Sequence, residues 1–386
     1  MRRPKDQGGG MRDKTSTIVS ALRFPLLLTR RVLLEFVKRQ CPLPACTCFG
    51  VPIVLSRVAD AIYWMSRNVE RAENLARFTD VTMNLILDLP PESNEQYSTE
   101  QYSTKQWMPL VSITGDHELF AERFGVPTQE NVLKFLAFDP EYPNSILRCV
   151  QNARENARSI RETISSEMWE HLNQFYYMVM DAAINQQALE SPQDFFHEVK
   201  TASHLFKGIT DGTMTHGEGW HFANLARLIE RADKTSRILD VKYFLLLPSV
   251  QDVGTQIDDL QWTAVLRSVS GFEMFRKRHH GITPERVVNF LVLDWEFPRA
   301  IFHCIDQANE SMHAISGTPR GMFRNVAERQ LGQLRGELAY GQVSEIISYG
   351  LHEYLDSFQT KVNAVGEAIY QTFIALRPEP ATAGAS

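Results

Sequence analysis

Two stretches about 160 residues apart carry one pattern of charge, and that pattern constrains the fold more than anything else in the chain. The first runs RVADAIYWMSRNVERAENLARFTDVTMNLILDLP from Arg57 to Pro90, and the second FANLARLIERADKTSRILDVKYFLLLP from Phe222 to Pro248. Each has an arginine, two residues, Glu-Arg-Ala, an acid, three residues, an arginine, two residues and an aspartate. In the first these are Arg67, Glu70, Arg71, Ala72, Glu73, Arg77 and Asp80. In the second they are Arg227, Glu230, Arg231, Ala232, Asp233, Arg237 and Asp240. Val58, Ile62, Met65, Val69, Ala72 and Ala76 step by four and three, as one face of a helix does. Leu75, Phe78, Met83, Leu85 and Ile86 add a second apolar flank, which places this helix inside a bundle and not on its skin.

Further helical patterns run over 106–123, 128–137, 143–163, 166–184 and 192–213, with Ser, Thr, Asp or Pro near most starts. Strand alternation and hairpin signals are missing. The order then repeats. FLAFDPEYPNSILRCVQNARENARSI (Phe135 to Ile160) matches FLVLDWEFPRAIFHCIDQANESMHAI (Phe290 to Ile315) without a gap. The expected fold is all-α: a duplicated helical bundle of two multi-helix units, 54–215 and 216–376, packed through their long Glu-Arg helices. Residues 377–386 (PEPATAGAS after one residue) have the composition of a disordered tail, and 92–105, with EQYST twice in tandem, that of a solvated loop. Residues 1–53 differ from the rest: the run Gly8-Gly9-Gly10, a basic stretch, then CPLPACTC. They are expected to be an over-called or disordered extension, with Val54 the true start.

On a helix Arg67, Glu70, Asn74 and Arg77 form one stripe, and Arg227, Glu230, Lys234 and Arg237 a second. Spacing allows Glu70 to reach Arg67 or Asn74, Glu73 to reach Arg77, and Arg77 to reach Asp80. Two uses are open. The stripes can be ion-pair ladders that fix the register of buried helices. They can also build a pocket in which guanidinium forks, Arg71 and Arg231 among them, hold a carboxylate or phosphate. Trp64 and Asn74 stand where the second stretch has Asn224 and Lys234, so a shared pocket would be asymmetric.

Other chemistry is thinly represented. Glu218 with His221, and Glu310 with His313, have a metal-binding spacing, but neither pair recurs in the other unit, and no metal is expected. The Cys41, Cys46, Cys48 cluster lacks a second Cys/His pair at zinc spacing. Cys149 and Cys304 read as small core residues. No phosphate loop or nucleophile elbow is recognisable, so no cofactor is called for. A net charge of -6 and the lack of a basic face argue against nucleic acid, and no apolar run is long enough to span a membrane. A cytoplasmic setting is expected.

At VLSRVADAIYWMSRNVERAENLARFTD and again at NLARLIERADKTSRILD the chain resembles the alpha-E family, a bacterial all-helical domain of unknown function named for its Glu-Arg motif. The resemblance covers about residues 54 to 375, and members of the family typically begin at the equivalent of Val54. It implies context more than mechanism. Such proteins are commonly encoded beside, or fused to, a circularly permuted ATP-grasp ligase and a transglutaminase-like protease. That implies an accessory or substrate-handling partner of a peptide-forming amidoligase system, with a peptide or carboxylate substrate. The rival readings are an enzyme in its own right, with Glu70 or Glu230 as general base, and a purely structural scaffold. No catalytic residue follows from the resemblance.

Overall fold

A computed structural model describes residues 55–88, 107–185, 187–245 and 256–375. The extension 1–53 with its cysteine cluster, the start at Val54, the EQYST loop and the tail from 377 lie outside these residues. Every described regular element is helical. The long helices are α1 (Ser56–Asp88), α2 (Ile146–Ser159), α3 (Ser166–Asn185), α4 (Pro192–Thr213), α5 (Glu218–Leu245), α6 (Gln256–Ser268), α7 (Ile301–Ser316), α8 (Val326–Tyr340) and α9 (Leu351–Ile369).

The two motif helices, α1 and α5, pack along each other at the centre. Around α1 the packing closes as a ring: α1 on α2, α2 on α3, α3 on α4, and α4 back on α1. Around α5 a ring of the same order closes: α5 on α7, α7 on α8, α8 on α9, and α9 back on α5. Helix α6 packs on both α1 and α5. This is what the two apolar flanks of α1 require: one flank covers its own ring, and the other covers its partner helix. Small residues make that approach possible. Ala72 and Ala76 on α1, and Ala226 and Ala232 on α5, are fully buried.

The region 106–123 does not form the single helix that its pattern predicts. Helical residues 107–112 stop at a turn in which Gly115 takes φ +82°, and His117–Phe124 starts afresh. The next stretch is a short helix, Gln129–Leu133, capped by the Thr128 side chain, that widens into a π-helical turn at Lys134–Phe138. The same sequence of events recurs at Pro284–Val288, capped by Thr283, and Asn289–Leu293. Both π turns end at an aspartate, Asp139 or Asp294, whose Oδ1 accepts the backbone N–H two residues on, from Glu141 or Glu296, at 2.9 Å.

Helix α2 begins at Ser145, which is fully buried. Its hydroxyl accepts from the Arg148 N–H (3.2 Å) and donates to the Asp139 carbonyl (2.7 Å). That oxygen satisfies one of the orphan donors of the first turn and ties it to the preceding π turn. Ser145→Ala is expected to lower stability by about 1 kcal/mol, read as a shift of the urea midpoint at constant slope.

Candidate functional site

The stripes on α1 and α5 face each other, and their charges are exchanged across the interface. Arg71 donates from Nε to Glu230 Oε1 (2.7 Å) and from Nη2 to Oε2 (3.0 Å). Arg231 donates from Nε to Glu70 Oε1 and from Nη2 to Oε2, both at 2.7 Å. Each Glu-Arg dipeptide therefore grips the other as two bidentate forks, and neither glutamate pairs with the arginine beside it. A third donor joins each carboxylate. Arg67 Nε reaches Glu230 Oε2 at 2.8 Å, while Arg299, from the turn before α7, reaches Glu70 at 3.4 Å and also donates to Glu73.

The remaining motif positions pair partly along their own helix and partly with Arg299. Arg77 donates to Glu73 (2.7 and 2.9 Å), and Arg237 to Asp233 (3.0 Å), each one turn along the helix. Lys234 donates to Asp233 at 3.0 Å and lies 3.7 Å from Glu230. Asn74 donates to the Glu70 carbonyl at 2.9 Å and accepts from Arg299 at 3.0 Å. The local pairings of Glu70 with Arg67 and of Arg77 with Asp80, which spacing allows, are not made. Asp80 instead takes Lys200 of α4 at 2.6 Å, and Asp240 takes His352 of α9 at 2.6 Å.

Burial and pairing oppose each other in this cluster. Desolvation alone would neutralise Glu230 and Glu70. Arg71 and Arg67 around Glu230, and Arg231 and Arg299 around Glu70, outweigh it and hold both carboxyls below the usual glutamate range. Glu73 lies well below that range too, with Arg299 its strongest partner against burial. Burial likewise disfavours the charges of Arg71 and Arg231, and the facing glutamates more than restore them.

Arg227 is the exception. It stands where Arg67 stands in the first motif, yet among the described residues no carboxylate pairs with it. It donates only to the Asn224 side chain. Burial, and then the neighbouring Arg231, push its pKa down to about 10. Two sequence differences and one intruder account for this. The counterparts of Tyr63 and Trp64, whose rings lie 5.6 and 5.2 Å from the Arg67 guanidinium carbon, are Ala223 and Asn224. With both rings absent, space opens beside Arg227. Arg299 meanwhile occupies the third seat at Glu70 that Arg227 would otherwise fill.

That space is a cavity of about 40 Å³ between α1, α4 and α5, opening outward into a cleft of about 320 Å³. The two share Lys207, Asp211, Trp220, Asn224, Arg227 and Arg231. The inner part has room for a few waters or one small oxyanion, and the outer part is the size of a small-molecule pocket. Ser203 lines the inner cavity. Only 2% exposed, its hydroxyl has no hydrogen-bond partner among the described residues. Lys207, one turn further along α4, has its ammonium pKa lowered, first by burial and then by Arg227. Arg227 without a carboxylate partner, Lys207 with only a 3.9 Å ion pair to Asp211, and an unsatisfied buried hydroxyl form the donor set that a carboxylate or phosphate accepts from.

Of the ten candidate residues read from sequence, Arg67, Glu70, Arg71, Asn74, Arg77, Glu230, Arg231, Lys234 and Arg237 belong to the ion-pair network, and Glu70 and Arg231 also border the cavity. Arg227 alone presents an unpaired charge to it. Ser203, Lys207, Asp211 and Arg299 were not legible as site residues. Ser203, Lys207 and Asp211 fall on one face of α4 by their four-residue spacing, and Arg299 replaces Asn144 in the otherwise matching segments, which are the signals available. Other chemistry finds no support nearby. Cys149 and Cys304 are buried, and burial pushes their thiols up to about 12 and about 11. Among the described residues no group of three or more His, Cys, Asp or Glu could hold a metal, and no helix is long and apolar enough to cross a membrane.

Uncharacterised proteins of Mycobacterium bovis and Mycobacterium tuberculosis are 22% identical over 350 residues, covering 86% of this chain and 39% of theirs. The chain thus spans about two-fifths of the length of these relatives. No solved structure matches. A family model described as a predicted alpha-helical domain with a conserved ER motif matches residues 54–374. Two of this chain's Glu-Arg dipeptides, Glu70-Arg71 and Glu230-Arg231, are clasped between α1 and α5 within the matched span, and the chain belongs to the Alpha-E family.

Proposed function

We propose that the protein binds a ligand bearing a carboxylate or phosphate in the cleft between α4 and α5. It does so as a substrate-handling partner of an ATP-grasp amidoligase and transglutaminase-like protease system in the cytoplasm. The single observation that carries the binding reading is Arg227. The other five motif arginines each face a carboxylate, and this one faces a cavity. The partner reading rests on the family. The relatives' additional length supports it, since a handling domain joined to further chain is one form such a system takes.

The chain is also read as two copies of one unit, 54–215 and 216–376. Support comes from the two rings closing in the same order, from the paired π turns, and from the reciprocal exchange of Glu70–Arg231 and Arg71–Glu230. On that reading the ER motif is the weld between copies, and the divergence at Ala223, Asn224 and Arg299 turned one of two equivalent places into a binding site.

A purely structural scaffold accounts for the weld but leaves Arg227 and Ser203 without a purpose. An enzyme using Glu70 or Glu230 as general base fits less well, because carboxylates held ionised by several guanidiniums are weak bases.

Arg227→Met tests the binding reading. Removing a buried charge that lacks an anionic partner is expected to leave melting temperature unchanged or slightly higher. Calorimetric titration with inorganic phosphate and with propionate is expected to show binding to the parent protein and at least a tenfold loss in the variant. Equal affinity in both would reject the site. The partner reading is tested by co-purification of the ligase with this protein and by ligase turnover with and without it; no association and no change in turnover would reject it.

A further inference from the structure

The cleft that holds Arg227 also holds an acid, Asp211, in an unusual position. Its Oδ1 accepts from Trp220 Nε1 at 3.1 Å, and its backbone carbonyl lies 3.0 Å from His216 Nε2. One carboxylate oxygen is therefore held by the indole N–H. The nearest cation is Lys207, whose Nζ stands 3.9 Å from Oδ2, beyond hydrogen-bond distance. Oδ2 thus keeps its lone pairs open at a rim where the side chain is 43% exposed. All the other carboxylates bordering the cavity, Glu70 and Glu73, are saturated by arginines.

The cleft therefore carries groups of both signs. At its inner end Arg227 and the unpartnered Ser203 hydroxyl favour negative charge, and at its rim the Asp211 carboxylate, ion-paired with Lys207 only at 3.9 Å, can accept a second cationic donor. Trp220, which stacks on His216 at 4.3 Å between ring centroids, lines the cleft with its ring. A phosphate or simple carboxylate satisfies the inner end and is repelled by the rim. A ligand carrying both charges satisfies both ends.

We infer that the ligand of this cleft is a small zwitterion of the α-amino-acid type, its carboxylate on Arg227 and Ser203 and its ammonium on Asp211. This rests on the oxyanion reading of the same site and adds the second pole. Specificity then lies in Asp211, which admits the dipolar molecule and turns away anions of similar size.

The test compares L-alanine, propionate, L-alaninamide and inorganic phosphate by calorimetric titration into the parent protein, Asp211→Asn and Arg227→Met. The parent is expected to bind alanine at least tenfold more tightly than propionate, and alaninamide not measurably. Asp211→Asn is expected to weaken alanine at least tenfold while strengthening propionate and phosphate, opposite signs that a general loss of structure does not produce. Arg227→Met is expected to lose alanine altogether. If alanine binds no better than propionate, or its advantage survives Asp211→Asn, the zwitterion inference is overturned while the oxyanion site stands. If none of the four ligands binds the parent, both fall together.

Discussion

Glu230→Gln is expected to destabilise the protein by about 3–5 kcal/mol, the range seen when one partner of a buried ion pair is removed. The side chain is 0% exposed, and Arg71, Arg67 and Lys234 converge on it. Neutralising it leaves these cations facing one another with little water to take up their charge. The amide retains one acceptor and brings two donors that point at guanidinium donors. In thermal unfolding this amounts to a fall of about 6–10 °C. Arg71→Met in the same chain is expected to recover a large part of the loss, because the fork then no longer lacks its anion; the double-mutant cycle isolates that coupling. A loss below about 1 kcal/mol would mean that the weld is carried by the apolar packing of α1 on α5 and not by the exchanged charges.

Acid is the second large lever. Glu70, Glu73 and Glu230 have folded-state pKa values below the ordinary glutamate value of 4.5, and Asp233 lies below the ordinary aspartate value of 3.8. Burial opposes ionisation in all four, and neighbouring arginines and Lys234 prevail over it. The direction of linkage follows. As pH falls through about 4.5 the unfolded chain takes up protons before the folded one, so folding stability, fully present above that value, drains away until the folded-state values are passed. Cooperative unfolding is expected between about pH 4 and pH 2, with little variation in stability between pH 5 and 8. Because the pairs are buried, added salt is expected to shift this transition only weakly. A melting temperature that holds steady from pH 7 down to pH 3 would contradict the network.

Helical class, helix placement and the central role of α1 and α5 were legible because each rests on local periodicity. Val58, Ile62, Met65, Val69, Ala72 and Ala76 fix a face wherever the helix sits. The partners of the charges were not legible, because spacing along one helix says nothing about how the other is turned. Glu70 has Arg67 within a turn, yet its carboxylate takes its bidentate partner from Arg231, 161 residues away. Only the Glu73–Arg77 pair and the Asn74–Glu70 hydrogen bond, each confined to one helix, followed from spacing. The cavity escaped for a related reason. It exists because Ala223 and Asn224 are small where Tyr63 and Trp64 are large, and because Arg299 sits where its counterpart is Asn144. Each difference is visible in the sequence, but the void they make together depends on packing between helices. The turn at Gly115 was hidden by apolar residues that continue on both sides of it.

The central claim is that the Glu-Arg motifs are spent on each other, which leaves Arg227 as the group that meets a ligand. Crystals grown in selenate locate the anion directly by the anomalous signal of selenium. The account predicts a peak within hydrogen-bond distance of Arg227 and Ser203, with Arg71 still on Glu230 and Arg231 still on Glu70. A selenate seated on Arg71 or Arg231, its fork swung away from the facing glutamate, would contradict it.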